Sequence, residues 1–596
     1  MNKLSCACMA MVVTCSIETA MAAASETLVW QPDSGGVISE AENWKPAQTP
    51  TATSEVDVTK AQSAPITLAD DFHVYATKLQ ADSSGAEMII DMGGHEYLNE
   101  AWLQTYNNTV YVFTNGTLKT ATNDESHSNA IKSGSTLAFR GPETIYFESN
   151  LTATASGGRV SGAMQVEGGT LAAPSVLEIA NGAKFHRYVG NDQSLRIILS
   201  NKIAVTNGSE MVLKADQVGK NVLQTGYGKD PANSNSSVEL LDHSKLDFFG
   251  IVACGASLQT TNGLFLVDGG SVVTNSGDGS VFRIGGTNNT LRIANSSSVT
   301  VPILDVGDNA NTLSALVDVD GGSTLRVGRE NPSSSGYVGL MVGHNENGSG
   351  HRLVVRGNSK LKVDAFCYIG SGATNVKFPH GCSMEIRDSS AEINGAVCVG
   401  GWGSSNSLVL VNSTLSVPDH RIGIGYRFIY NNENQDSGSA SLANKLEVEN
   451  STVNARILDV NGYLDAAGIY GPKAVVRVTG TNSTIKTSAS SRAARFYNTE
   501  LVFEIDPEGF VQTLVDIPKV DIASNSVVKV NLPAKARRLL GGQKITLVQT
   551  EPNQLAVNET TTFEYSAEMC DLVTDAANGE IYITVKRAPG LSIFVR

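Results

Sequence analysis

The chain has 596 residues, a net charge of −15 and only 17% charged side chains. That length allows several cores or one elongated core, and the shortage of basic residues argues against a nucleic-acid partner, which needs a cationic stripe to displace phosphate counterions. Glycine is 57 of 596 residues, and Ser, Thr and Asn are abundant, a composition suited to many short strands joined by tight turns.

In chain order, the first element is a leader. "MNKLSCACMAMVVTCSIETAMAAASE" has a charged start at Lys3 and an apolar stretch over residues 4–17, too short to cross a bilayer. Ala20-Met21-Ala22 or Ala22-Ala23-Ala24 offers a small-x-small cleavage site. Residues 1–24 are therefore expected to be a signal peptide, and the mature chain to be secreted or held at the cell surface. No later segment is long and apolar enough for a membrane helix, so no transmembrane segment is expected in the mature chain.

Residues 25–108 hold three of the four tryptophans, Trp30, Trp44 and Trp102, and form the expected N-terminal β cap. Core packing of these indoles is favoured over an exposed carbohydrate platform.

From about residue 109 the chain repeats itself. A serine in a Ser-x-apolar step recurs at Ser244, Ser271, Ser297, Ser323, Ser359, Ser389, Ser413, Ser451 and Ser483, with successive spacings of 27, 26, 26, 36, 30, 24, 38 and 32 residues. The register at Ser389 is open by one residue, because Ser390 follows it. Between the serines an apolar residue precedes glycine, as in Cys254-Gly255, Ile284-Gly285, Val306-Gly307, Ile369-Gly370 and Ile424-Gly425. One period thus reads as three short alternating segments. Alternation at period two sends one set of side chains inward and the other outward.

A segment this short cannot form a sheet alone. Coiling the chain and stacking each period on the last pairs every strand with its equivalent about 4.8 Å above and below. The expected fold is all-β: a parallel β-helix, a right-handed, three-faced solenoid over residues 109–488, with β-rich N- and C-terminal caps. The longest periods should extrude "RENPSSSGY" and "YNNENQDSGSAS" as loops. Asn115, Asn207, Asn295, Asn412, Asn450 and Asn482 stand in N-x-S/T triplets, and their recurrence at one turn favours a structural role over glycosylation. Residues 489–596 carry longer strands separated by "PEG", "GG" and "ANG", expected as a C-terminal β cap or small β-sandwich.

Five cysteines follow the leader: Cys254, Cys367, Cys382, Cys398 and Cys570. Without C-x-x-C or paired spacing they signal neither a zinc site nor a disulfide framework, although one bridge among Cys367, Cys382 and Cys398 stays open.

The unit "CYIGSGATN…MEIRDSSAEINGAVCVGGWGSSNSLVLVNSTLSV" resembles the PEP-CTERM/autotransporter-associated repeats of bacterial exported proteins. The N-terminal "VW…GG…SEAENW" is similar to the W-x(n)-NW opening of many such passenger-like proteins. The resemblance implies a β-helical fold and cell-surface or extracellular placement, and it implies no catalytic residues. The residues after the repeats are too few for a translocation barrel, so self-transport is not expected.

Several stretches carry catalytic letters. Asp242-His243-Ser244 has those of a triad, but neighbours on a strand point to opposite faces. His344, Glu346, His351, Arg352 and Arg356 form the most enzyme-like cluster. Asp318 and Asp320 resemble part of a calcium loop without its remaining ligands. "GNSKLKVDAFCYIG", residues 357–370, reads as one coil: Leu361 and Val363 inward, Lys360, Lys362 and Asp364 outward, Cys367 and Ile369 on one face. No catalytic, cofactor-binding or metal-binding residue is assigned, and no cofactor is expected. The expected function is a non-enzymatic, adhesin-like scaffold, whose partners would be extracellular polysaccharide or cell-surface components. The alternative is a polysaccharide lyase or glycoside hydrolase on the same fold.

Overall fold

The computed structural model describes residues 26–589 apart from 82–86, 121–128, 142–143, 148–163, 190–193, 199, 218, 227–234, 256–259, 276, 308–311, 329–337, 344–347, 371–378, 402, 426–442, 462–471, 481, 491–493 and 509–512. The leader, Trp402 and both long-loop candidates lie outside the described residues.

Alternation sets the architecture. In one coil, Arg352–Val355 lies on a first face, Lys360–Val363 on a second and Phe366–Ile369 on a third. Each pairs in parallel with its equivalent in the next coil: Ser383–Arg387, Ser390–Ile393 and Val397–Val399. The same triple pairing repeats along the chain, and the molecule is a three-faced parallel β-helix. Four described strands, Phe72–Leu79, Glu96–Thr105, Thr414–Ile424 and Thr452–Asn461, run unbroken around the corner between the second and third faces, which merge into one 35-stranded sheet.

Inward side chains stack in files. Leu361 sits in register between Leu325 and Ala391 and is 2% exposed, a burial worth about 2 kcal/mol. Val363, Cys367 and Ile369 are likewise buried, while Lys360 and Lys362 point to solvent. Asp364 ends half-sheltered at the corner, held by Arg326 at 3.0 Å, Lys362 at 3.8 Å and Asn394 at 2.8 Å.

The repeated serines turn the corner from the first face to the second. The backbone N–H of each donates to the hydroxyl of the next, from Ser244 through Ser271, Ser297, Ser323, Ser359, Ser389 and Ser413 to Ser451, at 2.8–3.2 Å. This ladder settles the open register: Ser389, not Ser390, is the corner serine. At this corner the chain takes a left-handed turn just before the serine, or before Gly116 in the coil of Val110–Thr114. Asn115, Asn207, Asn295, Asn412 and Asn450 adopt φ of +46° to +66°, a conformation Asn tolerates better than most residues. Four of them donate to a side chain one coil back, as Asn412 does to Asp388 at 2.9 Å.

A second ladder lines the corner from the third face to the first. Ala315 N–H donates to His351 Nδ1 at 3.2 Å, Cys382 N–H to Asn406 Oδ1 at 2.9 Å, and Asn406 N–H to Asn444 Oδ1 at 3.0 Å. The five cysteines are buried free thiols.

Parallel pairing begins with Glu26–Trp30 on Ser54–Val58 and continues to Val527–Asn531 on Thr562–Glu564. The stack thus runs beyond residues 109–488 at both ends. At the start, Trp30 and Trp44 face each other across an antiparallel pair, edge to face at 5.1 Å and almost fully buried. Trp102 is buried in a small cluster with Ala76 and Ala101. At the far end, Glu580–Val585 lies antiparallel on Lys544–Gln549, with Cys570–Asp575 outside it. Ala536–Leu539 is the only α-helix among the described residues, and no described helix is long and apolar enough to cross a membrane.

Candidate functional site

The described wall opens into a groove where its corners loosen. In the last coils, the turn after the first face loses the left-handed residue and the serine. Glu504 is followed by Ile505, Asp506 and Pro507; Asn531 by Leu532, Pro533 and the short helix; Glu564 by Tyr565 and Ser566. Proline has no N–H to donate, so these turns cannot continue the ladder. Between them lies a groove of about 760 Å³.

Its floor is the outward file Thr479, Glu504 and Asn531, one residue from each of three successive coils. Asn531 Nδ2 donates to Glu504 Oε1 at 2.8 Å, and Arg477 Nη1 approaches the same oxygen at 3.5 Å. Lys529 stands between Glu500 at 4.0 Å and Glu564 at 3.6 Å. Lys535 reaches Glu508 at 2.8 Å, which lifts its ammonium pKa, and Asp506 accepts the Glu508 N–H at 3.1 Å. Tyr565 forms part of the wall and is 39% exposed, beside Leu532 and the two prolines. An aromatic and apolar wall with a few placed hydroxyls, amides and carboxylates suits a ligand with both C–H and O–H surfaces. The charged groups at this groove are engaged with one another, so they fix its shape.

The described members of the enzyme-like cluster, His351, Arg352 and Arg356, do not converge on one site. His351 is wholly buried in its corner ladder, where desolvation pushes its pKa down to about 4. Its neighbour Arg352 points the other way, to Glu385 on the outer wall at 2.8 Å. Arg356 clamps Asp318 with two 2.9 Å bonds and reaches Asp320 at 3.2 Å, so an arginine occupies the place of the suspected cation. His344 and Glu346 lie outside the described residues. Asp242 and His243 are left-handed turn residues, and Ser244 is a buried rung. Among the described residues no group of three or more metal-ligating side chains gathers.

The third face carries charges from neighbouring coils: Arg283 in register with Asp305, and Arg495 in register with both Asp459 and Asp521. Opposite signs sit side by side along this file, as in a cross-strand ion-pair row.

The groove was not visible in the sequence. Its parts come from residues 479, 504–507, 529–535 and 564–566, which no local motif links. The usable signal was the loss of the corner serine together with Pro507 and Pro533. No protein-family model matches the chain, and no curated protein is a significant match.

Proposed function

We propose that this protein is a non-enzymatic, exported scaffold of the adhesin-like kind, secreted or displayed at the cell surface, which takes up neutral glycan at its C-terminal groove. The serine ladder carries this reading. The polar residues that recur most faithfully along the chain are spent on joining coil to coil, at 2.8–3.2 Å over seven steps. The arginines and carboxylates with catalytic potential are likewise engaged in the wall. The leader-like residues 1–24 and the resemblance to exported repeat proteins support placement outside the cytoplasm.

The test is incubation of the purified chain with a panel of neutral and acidic polysaccharides. The scaffold reading expects retention of glycan with no change in chain length. Depolymerisation, or an unsaturated uronate absorbing in the ultraviolet, would establish a lyase or hydrolase instead. At the groove, Tyr565→Ala should weaken neutral-glycan binding by about fivefold, since a stacked aromatic is worth about 1 kcal/mol. Binding unchanged in that variant would remove the groove from the proposal.

A further inference from the structure

On the second face, three successive coils bring lysines and aromatic residues together. Three successive strands, Lys184–Val189, Glu210–Ala215 and Lys245–Phe249, pair in register. Their outward side chains form three files: Lys184, Glu210 and Lys245; His186, Val212 and Asp247; Tyr188, Lys214 and Phe249. Tyr188 is 42% exposed, among the most exposed large apolar side chains described. Phe249 packs partly on the core, and its ring lies over Gly277, where a Cβ would come within 2.2 Å of Cε2. Only Tyr188 therefore stands out from the wall; the half-buried Phe249 borders the patch two coils away, about 10 Å, with Lys214 between them in register.

Lys184, Lys214 and Lys245 are exposed, and none has an ion-pair partner within 4 Å among the described residues. Farther along the same face Arg326 is held by Asp364 at 3.0 Å and Lys362 by Glu392 at 3.7 Å, while Lys360 is a single exposed cation with no aromatic neighbour in register. Glu210 and Asp247 offset part of the patch. They sit half-buried while the ammonium groups project, so the patch presents positive charge on a chain whose net charge is −15.

We infer that this patch, Lys184, Tyr188, Lys214, Lys245 and Phe249, is a docking site for an extended acidic polysaccharide built from uronic-acid units. Tyr188 stacks on the C–H face of one sugar, the edge of Phe249 gives an apolar border about a disaccharide farther along, and the lysines neutralise the carboxylates beside them. The net negative charge elsewhere repels a polyanion, so binding is confined to this patch and weakens with salt. The inference rests on the scaffold reading and gives it a second ligand class at a separate place.

Affinity electrophoresis of the full chain in gels holding polygalacturonate, dextran or duplex DNA tests it. The expected result is retardation by polygalacturonate alone, lost in high salt. Retardation should fall about tenfold in the K184Q/K214Q/K245Q variant and about fivefold in Tyr188→Ala, with Lys362→Gln as an unaffected control. Circular dichroism of each variant checks that the fold is kept. No retardation of the native chain, equal retardation by dextran, or retardation by DNA that ignores Tyr188→Ala overturns the inference. So does a folded triple variant that binds like the native chain. Shortening of the polygalacturonate would sink the scaffold reading instead, and the variants would still report whether the patch binds.

Discussion

At the scale of single residues, the protein shows how one side chain can be structural in a place that looks chemical. His351 holds a rung that Asn289, Asn406 and Asn444 hold in other coils. Its ring is buried and stays neutral, with a pKa near 4 against 6.5 for the free side chain. As pH falls, the unfolded chain takes up the proton first. The stability tied to His351 is thus complete above pH 6.5 and is lost progressively down to pH 4, by about 3 kcal/mol in all. His351→Asn keeps an acceptor for the Ala315 N–H and removes the titration. Denaturant melts at pH 4.5 and 7.5 should therefore differ less in the variant than in the native chain, and an unchanged difference would show that His351 is not the group responsible. Ser323→Ala leaves the buried N–H of Ser297 without its acceptor and should cost about 1–3 kcal/mol. Leu361→Asp places a carboxylate in the apolar interior and should cost more than about 4 kcal/mol, whereas Lys362→Ala, on the solvent side, should stay within about 0.5 kcal/mol. Equal thermal shifts for these last two would contradict the inward and outward assignment.

At the scale of the element, the coil is the unit, and the sequence announces it through its corners more than its strands. Spacing alone located the serine rung, because each serine closes the same turn. Where a different residue closes the turn, the signal fades although the strands continue. That is why parallel pairing from Glu26–Trp30 onward, and after Ser483, was hard to see: the corner after Val110–Thr114 has Gly116 in the serine's place, and the last corners use proline. The C-terminal groove and the lysine–aromatic patch were hidden for a related reason. Each gathers residues about one coil apart in sequence, and strand register alone brings them together. The coil's independence makes a prediction. Deleting residues 297–322 removes one whole coil and lets Ser271 donate to Ser323, with all three faces kept in register. The shortened chain should fold, with a modest fall in melting temperature, since each coil touches only its neighbours. Deleting residues 297–309 leaves the strands out of register and should prevent folding. Similar circular dichroism and melts for the two deletions would count against the coil as the unit.

At the scale of the whole molecule, the problem is how a stack of parallel strands stops. Any final strand offers unpaired N–H and C=O groups to another chain. On the first and third faces the described stack ends in strands of three residues, Thr562–Glu564 and Leu555–Val557, too short to template much pairing, with Glu564 adding charge at one edge. On the second face the last parallel strand, Lys544–Gln549, has six residues, and its Ile545, Leu547 and Val548 are fully buried. That long edge is the one the chain covers, with Glu580–Val585 laid antiparallel upon it and Ile581, Ile583 and Val585 closing the core. The outermost strand, Cys570–Asp575, then presents Asp571 and a partly exposed Val573 to solvent. Ending the chain after Ser566 should therefore leave the coils folded and uncover one flat, apolar edge. The truncated protein should keep the β-rich circular dichroism of the full chain and associate with rising concentration in sedimentation velocity. Full-length protein should remain at one size over the same range. If the truncated chain stayed at that single size with an unchanged melting temperature, the hairpin would not be what ends the stack.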